Sequence, residues 1–177
     1  MAQVRLNNLD IEKIQALVKE MRDNPKVYQE MANSGWNTRV QWQGGFQHSI
    51  FARQLAPTTF DEPTEIAGGD RGLSPHEAIM SAVGACVATG FVAQATSKGV
   101  KIETLEVQVD GKLNLPVFFG LAEGNPGYDE MSVTVYAQTD ASAEVLQEIY
   151  DKAVALSPVL NTVQRGAKIT TTLRSSS

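Results

Sequence analysis

The chain has 177 residues, 42% hydrophobic and 20% charged, with a formal net charge of -5. These values fit one globular domain with room for an appendage and argue against a disordered chain. No run of Lys or Arg could track a phosphate backbone, so nucleic acid is not an expected partner. One cysteine, Cys86, and two histidines, His48 and His76, exclude an internal disulfide and any zinc site built from Cys and His alone. Met1 to Asp10 lacks a basic segment followed by an apolar core, so no leader is expected and a cytoplasmic location is.

The first 35 residues read as a helical extension. Asp10 can cap a helix in which Ile11, Ile14, Leu17, Val18 and Met21 recur at helical spacing. Asn24-Pro25 restarts a short helix through Tyr28 and Met31, and Gly35 ends it. From Trp36 the pattern switches to period two. Trp36, Thr38, Val40 and Trp42 face one way, Gly44-Gly45 marks a hairpin, and Phe46 to Arg53 returns as the second strand. A loop holding Asp61-Glu62-Pro63 and Gly68-Gly69-Asp70-Arg71-Gly72 follows.

The best-specified element opens at Ser74-Pro75-His76-Glu77. Ser74 can cap it, Pro75 suits the first helical position, and Glu77 three residues on completes a capping box. Gly99 closes it. From Ala78 to Ser97 there is no charge over 20 residues, about the length of a membrane span. Six of these are Ala, two are Gly and five are polar, a composition better suited to a helix buried on nearly all sides of a soluble core.

Beyond it, Ile102 to Val109 reads as a strand ending at the turn Asp110-Gly111, and Leu113 to Phe119 as a weaker one. Met131, Val133, Val135 and Ala137 alternate cleanly. Ala141 to Leu156 is an amphipathic helix. Ser157-Pro158 breaks it and caps a short helix through Val163, and Ile169, Thr171 and Leu173 make a last strand before the tail Ser175 to Ser177. Grouped strands and helices, rather than strict alternation, imply an α+β fold with a largely antiparallel sheet.

Chemistry is sparse. The glycines from Gly68 to Gly72 lead into a helix N-terminus, a natural anion site. They lack the Gly-Lys-Ser/Thr ending of a phosphate loop, and loop geometry explains them better. Cys86 has Ala82, Val83, Thr89 and Gly90 as its helical neighbours, an apolar shell that disfavours a thiolate unless a cation comes from elsewhere. His76 lies ten residues back, about 15 Å of helical rise, so it cannot reach Cys86 along one helix. Glu77 is about 13.5 Å back on the same geometry. His48, on the hairpin, leaves a cysteine hydrolase as a weak third possibility.

Asp61-Glu62-Pro63, Gly68-Gly69, Ser74-Pro75-x-Glu77 and Gly84-Ala85-Cys86 in a small-residue helix together resemble the OsmC/Ohr family of osmotically inducible and organic hydroperoxide resistance proteins. Gly99-Val100, Asp110-Gly111 and Ser157-Pro158-Val159 keep the same order. The resemblance runs over about residues 36 to 174 and leaves the extension 1–35 outside a domain 36–177. It implies an α+β, OsmC-like fold with largely antiparallel sheets around long central helices, in an intertwined homodimer with active sites at the subunit interface.

In the peroxidase members a cysteine matching Cys86 attacks a hydroperoxide, a second cysteine resolves the sulfenic acid, and an Arg paired with a Glu supplies the cation. The resolving position is Ser157 here. The family's arginine position after the hairpin glycines is Phe46, and Arg39, Arg53 or Arg71 is left to substitute. The glutamate register falls on His76, with Glu77 one residue later, as in related subgroups.

The expected activity is one-cysteine reduction of organic hydroperoxides through Cys86, with Arg71 and Glu77 as its charged partners, and with an external thiol as reductant. The alternative is non-catalytic binding of a small apolar ligand in an interface pocket that includes Phe46, His48, Ala82 and Thr89. No metal, cofactor or membrane is expected to take part.

Overall fold

The computed structural model describes residues 5–175; the first four residues of the start and the last two of the tail lie outside the described residues. Two compact units share the chain, one of Met1–Ser81 with Asp110–Ser132 and the other of Ala82–Val109 with Val133–Ser177.

The first unit begins with helices α1 (Ile11–Asp23) and α2 (Pro25–Ala32). Asp10 caps α1 by accepting from the Lys13 amide at 3.1 Å. Asn24 caps α2 by accepting from the Lys26 amide, with Pro25 at the first position. Neither helix has a buried residue.

Strands β1 (Arg39–Gly44), β2 (Gln47–Phe51) and β3 (Thr58–Phe60) form one antiparallel sheet in that order. Gly44 and Gly45 turn the hairpin at φ +112° and +56°, in the positive-φ region that favours glycine. The strand starts at Arg39 rather than Trp36. Its apolar side is bare: Trp36, Val40 and Trp42 are 82%, 58% and 68% exposed.

Two expectations fail between β4 (Ile102–Leu113) and β5 (Tyr128–Thr139), which pair in a two-stranded sheet. β4 runs straight through Asp110-Gly111. Gly111 is there for space, since a Cβ on it would sit 2.8 Å from the Tyr128 ring. The expected strand from Leu113 to Phe119 is instead a helical turn, α4 (Leu115–Phe118), started by Pro116 in its first turn and by Asn114 accepting from the Val117 amide.

Helix α3 (Pro75–Ser97) contributes residues to both units. Its end is fixed by Gly99 at φ +74° and by the Val100 amide donating to the Ala95 carbonyl at 2.9 Å. In the second unit Phe91, Ala95, Val100, Ile149 and Ala153 form one core cluster, joining α3 to α5 (Ala143–Ala155). Val83, Val87 and Leu160 form another, joining it to α6 (Pro158–Arg165). Val133 and Val135 of β5 pack on the second cluster, which is why alternate β5 residues are half-buried.

Burial of α3 is one-sided, against the expectation of cover nearly all round. Val83, Gly84, Val87, Phe91 and Ala95 are buried, while Ala82, Ala85 and Thr89 are exposed. By length and composition α3 is apolar enough to cross a membrane, a test that core helices also pass. The expected last strand is absent among the described residues. Ile169 and Leu173 are 81% and 94% exposed, so this alternating segment has nothing of its own chain to pack against.

The α3–α5 contact depends on Gly90, where a Cβ would lie 3.2 Å from the Ala153 carbonyl oxygen and 3.3 Å from its Cα. Backbone cannot swing aside as a side chain can. Gly90→Leu is therefore expected to destabilise the fold by about 1–3 kcal/mol in urea denaturation, despite leucine's better helix propensity.

Candidate functional site

The loop between β3 and α3 is organised by one carboxylate. Asp61 is 2% exposed; its Oδ1 accepts from the Glu62 amide at 2.9 Å and its Oδ2 from the Gly69 amide at 3.1 Å. The glycines are spatial necessities: a Cβ on Gly68 would strike the Glu62 carbonyl and one on Gly72 the Thr59 carbonyl. The Gly69 amide is held by Asp61, an acceptor the protein supplies itself, in keeping with the structural reading of this segment over a phosphate cradle.

Ser74 is fully buried and reciprocates with Glu77 as its spacing implied. The Ser74 amide and hydroxyl donate to Glu77 Oε2 at 2.8 and 2.7 Å, and the Glu77 amide donates to Ser74 Oγ at 3.3 Å. These bonds hold the Glu77 carboxyl below its usual range, the Ser74 amide contributing most and the hydroxyl next; burial opposes them and the charge of His76 adds a smaller lowering.

Around this cap the structure gathers residues that spacing could not. His76 places Nε2 3.1 Å from Ser74 Oγ and Nδ1 3.8 Å from Glu62 Oε2. Tyr128, at the start of β5, donates to the His76 carbonyl at 3.2 Å and lies 2.9 Å from Met80 Sδ. Burial, and then the charge of Glu77, push the Tyr128 hydroxyl up. The Asp61-Glu62-Pro63 motif was the only sequence signal for Glu62. Tyr128, 52 residues from His76, offered none.

The other expected residues are dispersed. Arg71 is exposed and donates from Nη1 to Gln47 Oε1 at 2.9 Å. Arg39 stacks on the Phe51 ring, 4.0 Å from its centroid. His48 stands between Trp42 and Phe60 in the sheet register. Phe46 is 48% exposed in the hairpin turn. Cys86 belongs to the second unit, as a free, half-buried thiol on α3. Ala82 and Thr89 flank it on the bare side, and Thr89 turns its hydroxyl back to the Ala85 carbonyl at 2.8 Å. Ser157, 2% exposed, caps α6 by accepting from the Leu160 amide at 3.4 Å. No group of three or more His, Cys, Asp or Glu is placed to hold a metal among the described residues.

Comparisons agree with this architecture. A family model described as OsmC-like protein matches residues 68–172. Among solved structures, an OsmC-like protein from Mycoplasma pneumoniae superposes with a TM-score of 0.63 at 20% identity, covering 75% of this chain and 89% of that one. An organic hydroperoxide resistance protein from Legionella pneumophila gives 0.54 at 16% identity, covering 76% and 91%. The organic hydroperoxide resistance protein OhrB of Bacillus subtilis gives 0.50 at 20%, covering 75% and 92%. No curated protein matches the sequence.

The cap gives a pH-dependent prediction. A carboxyl lowered by folding contributes stability that is present above its unfolded pKa and is lost as pH falls. Glu77→Gln should cost about 1 kcal/mol in urea denaturation at neutral pH, and the gap from wild type should narrow as pH falls below about 4.3.

Proposed function

The chain belongs to the OsmC-like family, and on that premise we propose that it is a cytoplasmic, homodimeric, oxidative-stress protein that reduces organic hydroperoxides with one cysteine. The observation that carries the reading is the half-buried free thiol of Cys86 on the bare face of α3. A fully enclosed residue could not meet a substrate, and Cys86 is not fully enclosed by its own chain.

In the proposed cycle the Cys86 thiolate attacks the outer oxygen of ROOH. The O–O bond breaks, sulfur is oxidised to the sulfenic acid, and the alkoxide leaves as ROH after taking a proton. An external thiol R′SH then condenses with the sulfenic acid, releasing water and forming a mixed disulfide. A second R′SH restores Cys86 and leaves as R′SSR′. Ser157 cannot replace that external thiol, because a hydroxyl forms no disulfide.

Arg71 is assigned as the cation that favours the thiolate, brought to Cys86 by assembly. Glu77 is assigned as its anionic anchor, since the Ser74 bonds occupy Oε2 and leave Oε1 for a guanidinium. Dimerisation is supported by the uncovered side of α3, by exposed Trp36, Val40 and Trp42, and by the unpaired alternating segment from Ile169 to Leu173. Exposed apolar side chains grouped on one element, as on the β1 hairpin, are a common mark of an interaction surface.

Turnover of cumene hydroperoxide with dithiothreitol is expected for wild type and absent for Cys86→Ser, with Arg71→Met slowed about tenfold or more, the scale of one lost charge contact. Equal rates in wild type and Cys86→Ser would overturn the reading. Ala85→Glu should convert the dimer to monomer in sedimentation while retaining helix content.

Ser157 also favours a second reading, since a buried helix cap is a structural use of the position. In that reading a pocket formed only at the dimer interface, with Ala82 and Thr89 beside Cys86 and with Phe46 and His48 contributed on assembly, holds a small apolar ligand without chemistry. Mass spectrometry would then detect a copurifying ligand that Ala82→Phe abolishes, and an unchanged load would refute it.

A further inference from the structure

The connection between β4 and β5 is a built tip. From Leu113 to Ala122 it carries no charge, and Leu115, Phe118, Phe119 and Leu121 are 41%, 58%, 54% and 81% exposed on it. The two phenyl rings hold each other edge to face, with centroids 5.0 Å apart. Val117 turns into the loop instead, where a Cβ on Gly124 would lie 3.2 Å from its Cγ2. Asn125 braces the return toward β5, accepting from the Gly127 amide at 3.0 Å and donating to Asp129 Oδ1 at 2.9 Å.

The backbone of the tip is satisfied from within. The amides of Phe118, Phe119, Gly120 and Leu121 donate to the carbonyls of Asn114, Leu115, Val117 and Pro116 at 3.0, 2.9, 3.0 and 2.8 Å. The Val117 amide donates to Asn114 Oδ1 at 3.4 Å, and Pro116 has no amide to place. An uncharged protrusion whose amides are already bonded meets the condition for entering hydrocarbon, where no new partner is on offer. A protein groove ordinarily fixes its guest with about one hydrogen bond per 100–200 Å², and this turn has no amide left to give from Pro116 to Leu121.

We propose that Leu115, Phe118, Phe119 and Leu121 are a surface anchor that enters the outer part of a lipid bilayer with zwitterionic headgroups, against the expectation that no membrane takes part. Charge selects the headgroup. Glu123, Asp129 and Glu130 stand exposed on one side of the tip in the chain and Lys112 on the other, on a protein of net charge -5, so an anionic surface repels it. The contact lies at the membrane surface and crosses nothing, so it needs no spanning helix. It is independent of the peroxide chemistry.

The test is flotation of the full chain with phosphatidylcholine vesicles on a density gradient. Wild type should float with them, equally at about 0.1 M and about 1 M salt, and less when phosphatidylglycerol replaces part of the lipid. Phe118→Ser combined with Phe119→Ser should lower the partition coefficient about tenfold or more. Its far-ultraviolet circular dichroism should be unchanged, since both rings lie on the surface. Phe119→Trp gives a second reading that keeps an aromatic ring in place: brominated phosphatidylcholine should quench its emission beyond any quenching of wild type, which already holds Trp36 and Trp42. Wild type that stays at the bottom of the gradient would overturn the anchor, as would flotation that the double serine variant retains or flotation with anionic vesicles alone. Self-association lost in that variant, without flotation of wild type, would assign the tip to a second copy of this chain and overturn it equally.

Discussion

The close approach of β4 and α5 to the middle of α3 governs the second unit. A Cβ on Gly84 would lie 3.2 Å from Val109 Cγ2, and one on Gly90 would lie 3.2 Å from the Ala153 carbonyl. Glycine at these two points lets a strand and a helix pack near the α3 backbone, and Val83, Val87 and Phe91 fill the space between. A helix packed this way on one side would ordinarily carry charge on the other. This one carries none from Ala78 to Ser97. Alanine, threonine and a thiol on its open side make a surface suited to a second close approach, which ties the missing charge to the proposed assembly.

A different constraint orders the first unit. The loop from Asp61 to Leu73 has little apolar cover and is held by polar bonds from a single carboxylate, by the Asp61 amide donating to the Leu73 carbonyl at 3.2 Å, and by the Asp70 amide donating to the Glu62 carbonyl at 3.1 Å. Buried polar networks of this kind are favourable only when every member is satisfied. Glu62 Oε2 is the unsatisfied member among the described residues, and the nearest group able to complete it is an ionisable ring.

Local signals were legible in the sequence. Capping residues marked Asp10, Ser74 and Ser157 because a cap needs only a short side chain and the next turn of backbone, and each accepts from an amide of that turn. Alternation located β1 and β5 for the same reason. The misjudged stretch lies where a glycine has two uses. Gly111 was taken for a turn, but it makes room for Tyr128, whose position depends on strand pairing across a long connection. Ile169 to Leu173 alternates as a strand should, yet alternation specifies only a face, and this chain provides nothing for that face to cover. At the candidate site, Glu77 and Ser74 were readable as a cap. The ring between Glu62 and Ser74 was not, because the loop that carries Glu62 folds back through contacts no local pattern encodes.

Ser157 connects the fold to the chemistry. A serine there is a good helix cap, and it is buried against the start of α6; cysteine is a poorer acceptor for an amide at that position. In the proposed reading position 157 is the one from which a second thiol would act, and a serine there leaves no sulfur to regenerate Cys86 from within. Any turnover then requires a reductant from solution, and that reductant must reach Cys86 on the face of α3 that its own unit leaves open. The same face is the one that assembly is proposed to cover. The two requirements are compatible only if cover is complete over Ala85 and incomplete over Cys86, which sits at the margin of the bare side, half-buried where Ala85 is exposed.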